Sequence, residues 1–288
     1  MKDLKTNVRR EEASSLNKPI LKADNISIVF GGLTAVDSFN MEIRENELLG
    51  LIGPNGAGKT TIFNILTGVY APTAGIFEFD GEKIENQPPY KLVKKGIART
   101  FQNIRLFNRM SVLDNVIVAN NFNMNYGFMT GALRLPSFWE EEKKEREEAL
   151  ELLKIFDLDQ YAEVDAENLP YGQQRKLEIA RAISTKPKLL LLDEPAAGMN
   201  PKETEELMDT IRLIRDKFNI SILLIEHDMK LVLGICERII VLDHGKIIAQ
   251  GEPYEAVNNP AVVRAYLGAE EDVEELETKA EESSEVVK

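Results

Sequence analysis

The stretch "GPNGAGKTT", residues 53–61, decides the fold. It follows the apolar run "ELLGLI", which indicates a buried strand, and it precedes "TTIFNILTGVY", whose apolar residues have helical spacing. Residues Gly53 to Thr60 fit the pattern G-x-x-x-x-G-K-[ST], which requires a strand before it and a helix after it. Glycines let the backbone curl so that successive amides face inward, and the helix adds its positive end. The sequence therefore predicts a cradle for phosphate oxygens.

Two side chains of this phosphate loop (residues 53–60) have the chemistry that a nucleotide requires. We expect Lys59 to reach the β- and γ-phosphates of ATP and the Thr60 hydroxyl to bind Mg²⁺. A glycine-rich turn used only for tight packing is the alternative, and the matching flanks argue against it. The other loop residues predicted to bind the nucleotide are Gly53, Pro54, Asn55, Gly56, Ala57 and Gly58.

Composition limits the class of protein. With 288 residues, 43% of them hydrophobic, the chain can bury a sizeable core in one large domain or two modest ones. Its longest apolar runs, such as "LLLL" and "IIVL", fall far short of the roughly 18 residues that span a bilayer. A polar, charged N-terminus without an apolar segment and a single cysteine, Cys236, predict a cytoplasmic protein.

The negative charge is concentrated at one end. The formal net charge is −13, and residues 269–288 contribute nine acidic residues against two lysines. This stretch has no aromatic residue, so we expect a disordered acidic tail, with an interaction peptide as the alternative. Residues 1–18 are expected to form a flexible N-terminal tail. An acidic body argues against a nucleic-acid partner, which would need a clustered basic surface.

The remaining pattern divides into three parts. Residues 20–46 and 75–84 show short strands with alternating apolar positions, typical of a small antiparallel sheet, and Asp80–Gly81 predicts a turn. Residues from about 105 to 165 are predominantly helical, with Ser111 as a predicted cap and one apolar face formed by Ala149, Leu152, Leu153 and Phe156. Beyond residue 170, amphipathic helices alternate with continuous apolar strands, which indicates a parallel sheet covered on both faces. We therefore predict an α/β fold with a mostly parallel sheet, an N-terminal antiparallel β-subdomain and an inserted α-helical subdomain.

Two of the predicted buried strands end in polar side chains. "LLLLDEP" ends in Asp193, which would reach the metal ion, and Glu194, which could polarise an attacking water. An ordinary strand end is the alternative. "IEHDM" places His227 at the end of a parallel strand, where it could reach the γ-phosphate, although a hydrogen-bonded structural histidine is the alternative. His244, in a predicted turn, is interpreted as structural.

Two further stretches complete a resemblance to the ATP-binding cassette family, over about residues 20–268. "RTFQN" resembles the family's glutamine loop, and "LPYGQQRKLEIARAI" resembles its signature sequence. The resemblance implies one cassette domain, residues 19–268, with a P-loop NTPase (RecA-like) core. It also implies that Gln102 contacts the metal and senses the water. Two subunits of that family sandwich two ATP molecules, so Gly172 and Gln173 would face the partner's γ-phosphate. We expect an accessible backbone N–H at Gly172 and a helix that starts near Gln173.

The resemblance assigns roles to other positions. Phe30 resembles the aromatic residue that stacks on adenine, with a buried core phenylalanine as the alternative, and Thr61 would contact the α-phosphate. "AAGMNP", residues 196–201 (the interface loop), resembles the loop that crosses the dimer interface, with Asn200 where the wider family usually has Asp. In the signature, proline and tyrosine replace the common serine and first glycine. The usual serine contact is therefore absent, since proline has neither hydroxyl nor N–H.

Three longer stretches of the sequence indicate a subfamily of ATP-binding cassettes. The stretches "LPYGQQRKLEIARA", "DEPAAGMNPKET" and "NNPAVVRAYLG" resemble the ATP-binding subunit of Liv-type branched-chain amino acid importers, in which these departures are regular. That implies uptake of branched-chain or other apolar amino acids, driven by ATP-dependent dimer closure. The implied partners are a second ABC ATPase subunit, two integral-membrane permease subunits and an extracytoplasmic solute-binding protein. The chain would then be peripheral on the inner face of the cell membrane.

Two other functions and one segment stay open. A lipopolysaccharide-export cassette subunit has a similar length, but Tyr171 and "MNPKET" count against it. A soluble cassette ATPase acting on ribosomes or DNA would typically carry two cassettes or a long coiled coil, and neither is visible. "NIRLFNRM", segment 103–110, mixes apolar residues with arginines, and it either contacts the permease or forms a partly buried linker.

Overall fold

The computed structural model describes residues 19–84, 86–120 and 136–267. The tails predicted at 1–18 and 269–288 lie outside the described residues. The strands are β1 (Pro19–Phe30), β2 (Leu33–Arg44), β3 (Leu48–Ile52), β4 (Ala74–Phe79), β5 (Glu82–Lys83), β6 (Ile97–Arg99), β7 (Leu189–Asp193), β8 (Ser221–Ile225), β9 (Arg238–Asp243) and β10 (Lys246–Gly251). The helices are α1 (Lys59–Leu66), α2 (Pro89–Lys95), α3 (Val112–Asn120), α4 (Pro136–Ile155), α5 (Tyr171–Ser184), α6 (Pro201–Phe218), α7 (Met229–Ile235) and α8 (Pro253–Val257). Residues 260–267 are also helical.

The larger sheet has six strands in the order β10-β9-β3-β8-β7-β6. All its neighbours pair in parallel except β10, which forms an antiparallel hairpin with β9. The three central strands, β3, β7 and β8, are five residues long and buried at every position. Continuous apolar runs suit strands that are covered on both faces. The predicted mostly parallel sheet is thus confirmed.

Alternation along these strands divides the core in two. Leu190 and Leu192 of β7 belong to one cluster of buried residues, and Leu189 and Leu191 belong to the other. The first cluster packs against α3 to α7, whereas the second packs against α1, α2 and the small sheet. Because side chains alternate across a strand, each face of the sheet has its own core.

The smaller sheet is antiparallel, with strand order β2-β1-β4-β5, as predicted for the N-terminal β-subdomain. Its β4–β5 turn falls at the predicted Asp80 and Gly81, both of which have positive φ, 51° and 78°. Two successive left-handed residues define the turn that matches the twist of a two-residue hairpin.

The helical part follows its sequence signals. The Ser111 hydroxyl accepts a hydrogen bond from the amide of Asp114 at 3.0 Å, so the predicted cap begins α3. The apolar face predicted for α4 is buried, as shown by Leu153 in the helix and by Phe156 just after it. Helix α5, which lies beyond the predicted insertion, packs against α3, α4 and strand β6. Helix α5 is therefore joined to the helical part as well as to the sheet.

Within residues 19–84, 86–120 and 136–267, no helix combines the length and the apolar character needed to cross a membrane.

The single cysteine offers a test of this packing. Cys236 is buried beside Gly50 of β3, and burial raises the pKa of its thiol far above the usual range. We expect iodoacetamide to alkylate Cys236 at least about 10³-fold more slowly in the native chain than in concentrated guanidinium chloride, because reaction requires opening of the core. Mass spectrometry of timed samples gives both rates. Native alkylation at the rate of a free thiol would contradict the packing.

Candidate functional site

The phosphate loop and the two strand-end motifs meet at one edge of the larger sheet. β3, β8 and β7 are adjacent and parallel, so their carboxyl ends point the same way. The loop follows β3, Glu194 follows β7, and His227 lies two residues beyond β8. Ligands of open parallel sheets bind at this edge. The structure therefore brings together the residues that the sequence predicted from separate motifs.

Close backbone approach explains two of the loop's glycines. A Cβ on Gly53 would lie 2.1 Å from the carbonyl oxygen of Leu242 in β9, and one on Gly58 would lie 2.8 Å from that of Ala35 in β2. Both residues also have positive φ, 149° and 104°. Only glycine combines that conformation with that lack of space. The loop is thus held between the two sheets, and Gly58 caps α1.

Lys59 lies within the curl of this loop. Its Nζ donates hydrogen bonds to the carbonyl oxygens of Gly53 at 2.7 Å and Pro54 at 2.8 Å. Burial lowers the pKa of Lys59, and the nearby carboxylates of Glu194 and Asp193 oppose that shift. A phosphate group would give the ammonium charged acceptors in place of two neutral carbonyls, and such bonds are stronger.

Two threonines follow Lys59 at the start of α1. Thr60 is exposed to solvent, and Thr61 is half-buried. Both residues lie in the first turn of α1, where free backbone amides favour an anion.

Asp193 is held by an arginine that the predicted site residues did not include. Arg99, at the end of β6, donates from Nη2 to Asp193 Oδ2 at 2.7 Å, and both side chains are buried. Its Nη1 donates to Asn64 Oδ1 of α1 at 2.8 Å, and its guanidinium lies 5.0 Å from the centre of the Phe101 ring. The charge of the Asp193 carboxylate is thereby paired, and its orientation is fixed.

Glu194 and Gln102 are in direct contact although they are far apart in sequence. Gln102 Nε2 donates to Glu194 Oε2 at 2.8 Å. Glu194 has a φ of 46°, which is uncommon for a residue with a side chain, and its amide donates to the carbonyl oxygen of Ile225 at 2.9 Å. Unusual backbone conformations cluster at functional sites because the surrounding structure must enforce them.

His227 lies on the open side of this group. Its Nδ1 is 3.9 Å from Glu194 Oε2 and 3.7 Å from Glu226 Oε2, and about two thirds of the side chain is exposed. Both distances exceed a hydrogen bond, so the ring is free to turn toward a ligand. His244, in contrast, lies in the exposed β9–β10 turn, 2.7 Å from Asp243 Oδ1, as its structural interpretation requires.

Glu226 is a second residue that the sequence motifs did not single out. Its buried carboxylate accepts hydrogen bonds from the amides of Ala196 at 2.8 Å and His227 at 3.0 Å. Burial raises the pKa of Glu226, and these backbone donors oppose that shift. The side chain therefore links the ends of β7 and β8 and supports both Glu194 and His227.

The predicted adenine residue lies on the surface. Phe30 is 42% exposed, and its ring centre is 5.2 Å from that of Tyr70 at an interplanar angle of 69°. The alternative of a buried core phenylalanine is therefore wrong. An exposed aromatic ring with a fixed edge-to-face neighbour is available to stack on a nucleobase.

The signature differs from its prediction in two respects. Helix α5 begins at Tyr171, two residues before the expected start near Gln173, with Pro170 as its N-cap. Gly172 is buried rather than accessible, since a Cβ there would lie 3.0 Å from Glu203 Oε1. The cause lies in α6, where Glu203 folds back to accept a hydrogen bond from the amide of Asn200 in a capping box.

Comparisons with known proteins agree with this geometry. The family described as ABC transporter matches residues 36–197, and that described as branched-chain amino acid ATP-binding cassette transporter matches residues 246–272. The high-affinity branched-chain amino acid transport ATP-binding protein BraF of Pseudomonas aeruginosa is 46% identical over 253 residues, 88% of this chain and 99% of that protein. LivG of Salmonella typhimurium, which carries the same description, is 47% identical with the same coverage.

Solved structures show the same fold. The ADP conformation of MJ1267, an ATP-binding cassette of an ABC transporter, is 30% identical and covers 87% of this chain and 99% of its own, with a TM-score of 0.76. A nucleotide-free ATP-binding cassette from an ABC transporter gives a TM-score of 0.75, also at 30% identity, covering 86% of this chain and 99% of its own.

The chain combines these matches with a phosphate loop that lies beside acidic residues at strand ends. It therefore belongs to the ABC transporter family of ATP-hydrolysing cassettes. Within that family the chain is similar to branched-chain amino acid transport ATP-binding proteins, as its sequence predicted. The lipopolysaccharide export ATP-binding protein LptB of Haemophilus influenzae is more distant, at 31% identity over 249 residues, 86% of this chain and 97% of that protein.

The hydrogen bonds of Lys59 lead to a first prediction for this site. Lys59→Ala should raise the Kd for Mg-ATP about 10- to 100-fold, because charge-assisted bonds to phosphate are lost. Titration calorimetry on the purified chain measures the change. Lys91→Ala, which removes an exposed lysine on α2, is the matched control and should bind normally. An unchanged Kd in a folded Lys59→Ala variant would contradict the role of the ammonium.

Proposed function

We propose that this chain binds Mg-ATP at the phosphate loop and couples its hydrolysis to uptake of branched-chain amino acids through a membrane permease. The contact of Gln102 with Glu194 beside the phosphate loop is the observation that carries the site, because it unites two motifs distant in sequence. The relatives' names supply the solute, since they describe high-affinity branched-chain amino acid transport.

The residues around the loop fit a magnesium ion. Thr60 would provide a hydroxyl, Gln102 an amide oxygen and Asp193 a carboxylate, and Mg²⁺ prefers such oxygen ligands. Arg99 bonds one oxygen of Asp193, Oδ2, which leaves the other carboxylate oxygen for the ion. When bound, the ion would neutralise charge on the β- and γ-phosphates.

The protein's own groups would carry the hydrolysis step. Glu194 polarises the attacking water and orients it toward the γ-phosphate, and His227 contacts that phosphate from the open side. Gln102 now donates its amide to the Glu194 oxygen that the water needs. A shift of the Gln102 side chain toward the metal would break this bond and free Glu194 Oε2 for the water.

Neighbouring residues would bind the adenine base and the remaining phosphates of ATP. Phe30 stacks on adenine, and Thr61 contacts the α-phosphate from the first turn of α1. The main-chain amides of the phosphate loop hold the β- and γ-phosphate oxygens. Support comes from the exposure of Phe30 and from the positive φ values of the loop glycines.

A second cassette subunit, identical or different, would complete the site. Gly172 and Gln173 lie in the first turn of α5, where the positive end of the helix favours an anion on a partner's nucleotide. In the single chain Glu203 covers Gly172, so its carboxylate must withdraw before a γ-phosphate can approach. This requirement links partner binding to the start of α6.

Segment 103–110 has the features of a permease contact. Asn115 fixes its backbone, accepting from the amide of Phe107 at 2.9 Å and donating to its carbonyl at 3.1 Å. The Phe107 side chain remains 48% exposed, and the guanidinium of Arg181 lies 5.5 Å from its ring centre. An exposed aromatic side chain on a fixed backbone, beside arginines, favours a docking role over a buried linker.

The start of α5 and segment 103–110 would be the contact surfaces of this chain in an assembled transporter. Two permease subunits would receive segment 103–110, and an extracytoplasmic solute-binding protein would deliver the amino acid to them. The chain would then lie in the cytoplasm, peripheral on the inner face of the cell membrane. Its relatives' description as transport ATP-binding proteins supports this arrangement.

Replacing the proposed water-polarising group tests the chemistry. Glu194→Gln should keep the Kd for Mg-ATP within about threefold and lower the hydrolysis rate by about 10²–10⁴, as expected when a base is lost. Single-turnover assays and calorimetry measure the two quantities. Glu255→Gln, an exposed position on α8, is the matched control. Near-normal hydrolysis by Glu194→Gln would refute the role.

The transport function has its own test. In the assembled transporter in vesicles, Arg105→Glu combined with Phe107→Ala should lower ATP-driven leucine uptake at least about tenfold, because hot-spot side chains dominate interfaces. ATP binding by the isolated variant chain should stay within about twofold of normal. Radiolabelled uptake and calorimetry measure both. Equal loss of uptake and ATP binding would reject the coupling role.

A further inference from the structure

The start of α5, which lies in the signature sequence, is hydrogen-bonded to the interface loop of the same chain. Tyr171 donates from its hydroxyl to the carbonyl oxygen of Ala197 at 2.9 Å. Its ring packs on Gly198, where a Cβ would lie 3.3 Å from Tyr171 Cε1. A glycine at position 171 would make neither contact. Tyr171 therefore links the start of α5 to the interface loop, and both would face the proposed partner.

One turn further along α5, Arg175 bonds to the main chain around Gln102. Arg175 is fully buried, and it donates from Nη1 to the carbonyl oxygen of Phe101 and from Nη2 to that of Gln102, both at 2.6 Å. Nη2 is also 3.4 Å from the Tyr171 hydroxyl. The guanidinium thus stands between the interface loop and residues 101–105, which we name the glutamine segment.

Glu178 completes this set. Its Oε2 accepts from Arg175 Nη1 at 2.7 Å, and its Oε1 accepts from the amides of Phe101 at 3.4 Å and Arg105 at 3.2 Å. The pair therefore holds both carbonyl and N–H groups of the glutamine segment. Its two side chains are 0% and 1% exposed.

Such a pair is better suited to fixing geometry than to adding stability. Removing two charges from water costs several kcal/mol per ion, and apolar replacements of buried pairs are often neutral or stabilising. The planar guanidinium, however, sets the directions of several bonds at once. Here those bonds end on backbone atoms next to Gln102, whose side chain contacts Glu194.

The contacts form a closed ring. From Glu194 the chain runs through the interface loop to Ala197, and hydrogen bonds lead on through Tyr171 and Arg175 to the backbone of Gln102. The Gln102 side chain then returns to Glu194. A displacement of any member is therefore transmitted to the others through bonds rather than across a gap.

We propose that Tyr171, Arg175 and Glu178 are positioning residues that make the start of α5, the glutamine segment and the interface loop move as one unit. This inference rests on the proposed function. A partner's phosphate that binds at the start of α5 would thereby move Gln102 relative to Glu194 in the same chain.

Tyr171→Phe tests the link because it keeps the ring on Gly198 and removes only the hydroxyl. Hydrogen exchange of the nucleotide-free chain should show amides of residues 196–200 exchanging about 2- to 10-fold faster, the loss expected for one hydrogen bond. Amides of α1 should be unchanged, and the thermal midpoint should fall by no more than about 4 °C. Tyr254→Phe, at an exposed tyrosine on α8, is the matched control.

Kinetics of the assembled transporter separate positioning from simple stabilisation. Tyr171→Phe should lower kcat for ATP about 2- to 10-fold with KM within about twofold, because the phosphate loop is untouched. Arg175→Lys keeps the charge beside Glu178 but cannot reach both carbonyls, so its kcat should fall further.

Unchanged exchange at 196–200, or a raised KM with normal kcat, would overturn the inference. A wild-type chain that does not bind ATP would instead refute the proposed function. The exchange experiment is independent of that result, because it uses the nucleotide-free chain.

Discussion

Three short parallel strands, buried on both faces, determine where polar groups can emerge. β3, β8 and β7 are each five residues long and buried at every position, and their one charged side chain, Asp193, lies at the carboxyl end of β7, so charged groups are found only at or beyond the carboxyl ends. Parallel pairing places those ends at one edge. The phosphate loop, the acidic pair and His227 therefore meet because of how the core packs, and the site depends on that packing.

Charge balance maintains this group of residues in the absence of nucleotide. Arg99 pairs with Asp193, and the two carboxylates of Asp193 and Glu194 oppose the effect of burial on the pKa of Lys59. Glu226 is satisfied by backbone amides of the adjoining loops. Opposite charges and donors thus offset the cost of burying ionised groups.

Local signals predicted much of the molecule. The strand, glycine loop and helix around residues 53–61, the hairpin turn at Asp80 and Gly81 and the Ser111 cap all depend on neighbours in sequence. Arg99, Glu226 and the Arg175–Glu178 pair were not foreseen, because their partners are set by tertiary packing. The burial of Gly172 was missed for the same reason, since Glu203 reaches it from another helix.

The hydrogen bond between Gln102 and Glu194 has an energetic consequence for a cassette outside its transporter. On the proposed roles, the oxygen that would orient water is already occupied by an amide proton. Nucleotide held by an unassembled subunit would then be spared from futile turnover. ATP would be hydrolysed chiefly by subunits that are assembled with a permease. Unassembled copies of the subunit would consume little ATP.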